Sequence, residues 1–424
     1  MAKDINKLIS EYQAIYYLED TAIIPLLCAV VLSNRMMGDP VWLMVVGGSS
    51  SGKTELLNMI TGIQKYVTEI SMLTSNTFLS GMKAGKGGEP SLLLRIERTS
   101  IMVMKDFTTI LSMNKDEQQA IMGQFREVYD GKMTKATGNG NNINWEGKIT
   151  LIAGVTEKIH VMESKFSGMG TRAIQYTLPP QDSIKTAQRS AKIRHGIKES
   201  REHMKAEFRE YFEHMVPLVV SSNYEIPDEV SMKLLHVADF ASLVRSPVER
   251  NYKGEVEYVL SREMPMRMSN QLHTIGSVFM AMEAGVLLPQ YENILYKLGL
   301  DSMPKGRRIC LRVLAVTGSS KTKEVSAAIG YETETTRKWL EELAVLGICN
   351  REVNEGGARG DNWVLKREYR DVMSMYDVLN KAEVEERIEA NKSDIDAYNE
   401  AGDDTWSNVF DKVKDNPTPT NGTL

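Results

Sequence analysis

The sequence predicts an α/β protein built on a parallel sheet, followed by a helical region and a small C-terminal module of helices and strands. Three observations predict it. Short apolar runs at 41–46 (VWLMVV), 101–107 (IMVMKDF), 148–155 (KITLIAGV) and 173–180 (AIQYTLPP) alternate with helix-like stretches such as KDEQQAIMGQFREVY at 115–129, and strands that alternate with helices read as a parallel sheet. From Ser183 to about Gly285 the apolar positions keep almost only helical spacing. From Pro304 the pattern shortens to three small helices and two β-like stretches.

The elements follow in order. Residues 3–36 place apolar side chains at three- and four-residue intervals and predict one or two helices, ended by the turn signal GDP at 38–40. VWLMVV then reads as a buried strand, and a helix opens at Ser51 and runs through Ile63. The paired prolines after AIQYTL close the sheet-bearing domain. Residues 185–215 read as one long helix with 8 basic and 5 acidic side chains, a solvated face rather than a binding site. These divisions predict an N-terminal helical segment at 1–38, a core at 39–182, a helical lid at 183–300, a C-terminal module at 301–370 and an acidic tail at 371–424. No internal repeat is evident.

Composition narrows the class. A chain of 424 residues has room for two or three domains. Hydrophobic residues at 42% and charged residues at 25% predict a soluble globular protein. Cys28, Cys310 and Cys349 lie far apart, without metal spacing, which argues for a reducing compartment and against a disulfide framework. The longest apolar run, AIIPLLCAVVL at 22–32, is too short to span a bilayer and contains Pro25. The opening MAKDINKL lacks the apolar stretch of a signal peptide. A cytoplasmic protein with no membrane partner is therefore expected. Residues 381–424 carry 5 basic and 11 acidic side chains, a net of −6 against −5 for the whole chain, which leaves the body near neutrality at +1. The closing DNPTPTNGTL predicts disorder. The 25 methionines fall mostly in apolar runs, so they read as core filling.

The chemistry concentrates at Gly47-Gly48-Ser49-Ser50-Ser51-Gly52-Lys53-Thr54, which fits G-x-x-x-x-G-K-[ST] with a strand before it and a helix after it. Small residues let backbone N–H groups face inward and cradle phosphate oxygens at a helix N-terminus. Lys53 would reach the β- and γ-phosphates of ATP, and the Thr54 hydroxyl would ligate Mg²⁺. The strand IMVMKD ends in Asp106, which would stand beside the same Mg²⁺. The residue after it is Phe107, where a water-activating glutamate is common, so the general base stays open, with Glu97, Glu127 and Glu69 as candidates.

WLMVVGGSSSGKTELL, VMKDFTTILS, FREVYDGKMTK and WEGKITLIAGVT together resemble the AAA+ helicase-like P-loop ATPases of phages and mobile elements, similar in layout to MCM-type replicative helicases. The resemblance covers roughly residues 40–290, and its first two motifs are the most specific. It implies that Thr156 at the end of LIAGVT is a sensor for the attacking water or γ-phosphate. It implies that Arg172 in GTRAIQYTLP is a finger reaching a neighbour's nucleotide in a homo-oligomeric ring. It implies that Arg267 in REMPMRMSNQL is a second sensor arginine at the start of a lid helix. In this layout DGKMTKATGNGNNINWEG at 130–147 forms a hairpin in the central channel, where Lys132 and Lys135 would touch a phosphate backbone.

In the C-terminal module, three helices followed by a hairpin read as a winged helix. Residues 304–370 hold 13 basic and 9 acidic side chains, a net of +4. ETETTRKWLEELAVLG would be the recognition helix, with Thr333, Thr335, Thr336, Arg337 and Lys338 near its start, and Arg359 would sit in the wing. Glu332, Glu334, Glu341 and Glu342 oppose tight DNA binding, and a protein-contact role stays open. The expectation is an ATP-dependent helicase or translocase acting on single-stranded or forked DNA in replication of a phage or mobile element. The alternatives are a non-unwinding switch, such as a loader or transposition regulator, and a nucleotide-binding transcriptional regulator.

Overall fold

The computed structural model describes residues 4–74, 77–79, 91–136, 142–161, 172–352 and 361–376, which divide into two compact units, 1–305 and 306–424. The first is an α/β unit around a five-stranded parallel sheet. Its strands are β1 (Trp42–Val46), β2 (Val67–Glu69), β3 (Thr99–Met104), β6 (Lys148–Val155) and β7 (Ala173–Thr177), in the order β2-β3-β6-β1-β7. Every residue of β1 is buried, as is all of β6 except Lys148. This is why these strands read as unbroken apolar runs rather than alternating ones. Trp42 anchors the core: its ring meets Phe125 and Tyr129 edge-on at 5.6 and 5.1 Å, and its indole N–H donates to the Ile149 carbonyl at 2.7 Å. Phe125 and Tyr129 come from the helix Lys115–Tyr129, which Asn114 caps by accepting from the Glu117 N–H at 3.0 Å.

The strand order matters for chemistry. β6 lies between β1 and β3 with registers Val46↔Val155 and Met104↔Ala153, so the residues following all three strands emerge at one edge of the sheet. The outer strand β7 is covered along its free side by side chains of the helix Pro289–Asp301 and its cap. The Thr177 N–H donates to Asp301 at 2.7 Å, and the Gln175 N–H donates to the Ser302 hydroxyl at 2.9 Å. That blunts an otherwise open edge.

The N-terminal segment is two helices, Ile5–Ile15 and Ile23–Ser33, and all eleven residues of the second are buried. They pack on the helices Ile197–Ser221 and Met266–Met282, so the apolar run at 22–32 is a core helix. Two expectations for 183–285 need correction. The long helix over 185–215 is broken into Ser183–Ile193 and Ile197–Ser221, with the break at His195 and Gly196. Glycine costs about 1 kcal/mol in a helix interior, and here it opens the second helix. The region is also not helix throughout: β8 (Val248–Arg250) and β9 (Val256–Val259) form an antiparallel hairpin around Asn251 and Gly254. The helix predicted to run through Ile63 spans Lys53–Ile60. The hairpin expected near 130–147 is present as β4 (Lys132–Ala136) and β5 (Asn142–Glu146), with Met133 and Trp145 buried in the main core. Among the described residues no helix is long and apolar enough to cross a membrane.

The second unit joins the helix Lys305–Thr317 from its second residue on, and the helices Thr322–Ile329 and Thr333–Val345, to a three-stranded antiparallel sheet. Its strands are β10 (Ser319–Lys321), β11 (Cys349–Glu352) and β12 (Asn362–Leu365), in the order β10-β12-β11. β10 was not foreseen, because three residues carry no period. Trp363 fills this unit's core, and its indole N–H donates to the Thr322 hydroxyl at 2.8 Å.

Candidate nucleotide site

The site begins where β1 stops. Beyond Val46 the chain turns through Gly47–Gly52 and enters the helix Lys53–Ile60. Gly52 takes φ +82° and Ser50 φ +60°, both left-handed. Glycine adopts that conformation freely, whereas Ser50 holds it at a cost of about 1–3 kcal/mol. Alternation of this kind turns successive N–H groups to one side and makes an anion-binding concavity. No side chain caps the helix, so its first N–H groups remain for a ligand.

Lys53 is buried, with 8% of its surface exposed. Its ammonium folds back over the loop. It donates to the carbonyls of Gly47 (2.9 Å) and Gly48 and to the Ser51 hydroxyl at 3.1 Å. Burial lowers its pKa below the ordinary lysine value, and Asp106 and Glu157 act in the opposite direction. A cation buried among carbonyl oxygens, beside uncapped amides, fits a polyanion. Thr54 is exposed at the helix start.

Asp106 follows β3 and is exposed; its Oδ1 accepts the Thr108 N–H at 2.9 Å, which sets the carboxylate's direction. Thr156 follows β6, between the two. Its N–H donates to the Thr108 hydroxyl at 3.2 Å, and the two hydroxyls lie 3.2 Å apart. Lys53, Thr54, Asp106 and Thr156 therefore gather at one edge of the sheet. No group of three or more His, Cys, Asp or Glu among the described residues could hold a metal by itself. A divalent cation here would have Thr54 and Asp106 as hard oxygen ligands, its remaining places going to phosphate and water, as suits Mg²⁺.

Phe107 is fully buried and packs on Phe125, with ring centroids 5.9 Å apart. The position after Asp106 faces the core, so no side chain there reaches the cleft.

The helix Ile197–Ser221 packs on the helix that follows the loop. Arg201 donates to Glu55 through Nε at 2.9 Å and also through Nη2. The Gln181 amide donates to the Ser51 carbonyl at 3.3 Å. A Cβ on Gly62 would stand 2.2 Å from the Lys205 carbonyl oxygen, so glycine is what lets the helix Ile197–Ser221 cross this closely. Long-range contacts of this kind leave no local signal.

Two residues foreseen as sensing or finger arginines stand elsewhere. Arg172 precedes β7, whose first residue Ala173 is level with Trp42, whereas Gly47 lies beyond the other end. Six residues at about 3.3 Å each put Arg172 roughly 20 Å from its own chain's Gly47–Gly52 loop. It pairs with Asp130 at 2.9 Å, lies over the Tyr129 ring at 5.7 Å, and its carbonyl accepts from Gln271. Arg267 sits at this far edge too, paired with Glu263 at 3.0 Å. Burial raises the Tyr129 phenol to about 12, while the charges of both arginines pull it down. The structure thus sets both Arg172 and Arg267 near Tyr129, not near Lys53.

The candidate DNA contacts are scattered. Lys132 is exposed and faces Glu146 at 3.3 Å, and Lys135 donates to the Leu79 carbonyl at 2.8 Å. Thr336 is fully buried and donates to the Glu332 carbonyl at 3.0 Å, so it belongs to the helix and not to its surface. Thr335 is half-buried. Arg337 is held by Glu334 at 2.8 Å and by Glu341, and these carboxylates raise its pKa; Lys338 lies 3.8 Å from Glu334. Arg359 and the hairpin tip at 137–141 lie outside the described residues. No family model and no curated protein matches the chain.

Proposed function

We propose that this protein is a Mg²⁺-dependent ATPase of the AAA+ P-loop type. In this reading the helical region is its lid, the second unit is a winged helix, and a ring of copies acts as a helicase or translocase on DNA. The observation that carries the reading is the Lys53 ammonium on the Gly47 and Gly48 carbonyls at an uncapped helix start, with Asp106 at the same sheet edge.

Lys53 would exchange its carbonyl partners for β- and γ-phosphate oxygens, and charge-assisted bonds of that kind are the stronger ones. The loop amides would orient the triphosphate. Thr54 and Asp106 would hold Mg²⁺, which supplies charge neutralisation on the phosphoryl oxygens. Thr156, held by Thr108, would place a hydroxyl between them. Arg172 lies too far from its own loop to serve it, which supports service to a neighbouring copy once it leaves Asp130.

The test is ATP turnover with and without single-stranded DNA, together with unwinding of a forked duplex and particle mass in the nucleotide-bound state. A helicase unwinds with ATP and not with a non-hydrolysable analogue. Absence of nucleotide binding would end the reading. A second reading, a non-unwinding switch, is favoured by the pairing of Arg337 with Glu334 and Glu341. It requires DNA-dependent turnover without unwinding. A regulator would instead bind one sequence selectively with little turnover.

A further inference from the structure

A P-loop site that hydrolyses ATP needs a group to take the proton of the attacking water, and Phe107 points into the core. The three glutamates considered from sequence are poorly placed. Glu97 precedes β3, so it stands at the edge opposite Asp106; the Ser100 hydroxyl donates to its carbonyl. Glu127 is exposed two residues before Tyr129, which packs with Arg172 at that same far edge. Glu69 ends β2 on the correct edge, yet β2 is three strands from β1, about 14 Å at 4.8 Å per step.

Glu157 stands differently. It is the second residue past β6, the strand between β1 and β3, and follows Thr156 directly. Neighbouring strands are about 4.8 Å apart, so this strand end lies between Lys53 and Asp106. Glu157 and Asp106 are the two carboxylates whose charges act on the Lys53 ammonium. Glu157 is exposed and is held by Lys305 at 2.6 Å.

We infer that Glu157 is the carboxylate that activates the attacking water, with Lys305 as its positioning residue; this rests on reading the Lys53 pocket as an ATPase site. In the step, the water oxygen forms a bond to the γ-phosphorus while the bond from that phosphorus to the β–γ bridging oxygen breaks. The electron pair of the broken bond stays on ADP. The water proton passes to Glu157 and from there to solvent.

The experiment uses the full chain with ATP and Mg²⁺, and reads turnover and, separately, the affinity for a fluorescent ATP analogue. Glu157→Gln should keep affinity within about threefold and lose turnover by about 100-fold or more, the range of a removed general base. Lys305→Met should lower turnover severalfold at unchanged affinity. The double variant should be no slower than Glu157→Gln, because a positioning residue has nothing left to position. Thermal unfolding of each variant, with Glu157→Asp as the conservative control, identifies failure to fold. Turnover of Glu157→Gln within threefold of wild type overturns the assignment. So does loss of affinity and turnover together in a folded variant, or loss of turnover on Glu69→Gln alone. If the wild type neither binds nor hydrolyses ATP, it is the ATPase reading that fails.

Discussion

Replacing Lys53 with methionine separates what the ammonium does in the empty loop from what it does with a ligand. In the free protein it donates to Gly47, Gly48 and Ser51. Each such bond is worth about 1 kcal/mol net, and somewhat more from a charged donor. Against this stands the cost of burying the charge, which is large enough to lower its pKa despite Asp106 and Glu157. The two contributions oppose, and methionine keeps the stem's packing, so unfolding without nucleotide should change by no more than about 1 kcal/mol. With nucleotide the variant has no ammonium to exchange onto phosphate, and the wild type gives up its loop bonds in the exchange, so the phosphate bonds set an upper bound. Two charge-assisted bonds to phosphate, at about 1.5–3 kcal/mol each, give about 3–6 kcal/mol, or roughly 150- to 20,000-fold in affinity. At a ligand concentration of about 100 times the wild-type Kd, ATP should stabilise the wild type by about 2.7 kcal/mol and the variant by less than about 0.4. Chemical unfolding with and without Mg²⁺–ATP measures both. An affinity within threefold of wild type would show that the ammonium does not grip phosphate. A large loss of stability without nucleotide would show that it is a structural cation.

The remaining predictions concern the frame around the site. Gly154 sits in β6 where an added Cβ would lie 2.7 Å from the Lys105 carbonyl and 3.2 Å from Leu57; Gly154→Ala should cost about 1–3 kcal/mol in urea unfolding and slow turnover by displacing Asp106, and a neutral result would refute the tight packing. Burial lowers the Lys148 ammonium from 10.5 to about 8. Between these values the unfolded chain keeps a proton that the native state has lost, so unfolding free energy should rise with pH across that window, by about 2 kcal/mol after allowing for partial exposure. Lys148→Met should remove the rise in urea titrations. Arg172→Ala should leave nucleotide affinity unchanged and lower turnover, and mixing it with wild type should depress activity more than dilution does if the arginine serves a neighbour; additive mixing would refute the finger role. Glu334→Gln with Glu341→Gln should free Arg337 and tighten DNA binding severalfold with a steeper salt dependence in fluorescence anisotropy, whereas an unchanged isotherm would place DNA elsewhere.

The parallel sheet and the glycine-rich loop after β1 are legible in the residues alone. Both are local: a strand buried on two faces must be an unbroken apolar run, as VWLMVV is, and a loop that needs left-handed backbone and close approach must be rich in glycine and small residues. The β4–β5 hairpin was legible for the same reason, through TGNGNN. Tertiary structure decided what depends on who lies beside whom. Only the strand order puts Thr156 and Glu157 between Lys53 and Asp106. Only the end of the sheet from which each residue emerges places Arg172 and Arg267 at the far edge from the loop. The burial of Phe107 and the ties from Arg337 to Glu334 and Glu341 depend on packing and helix phase. An arginine or glutamate has no periodicity of its own, so its role is set by the partners that folding brings within hydrogen-bond reach.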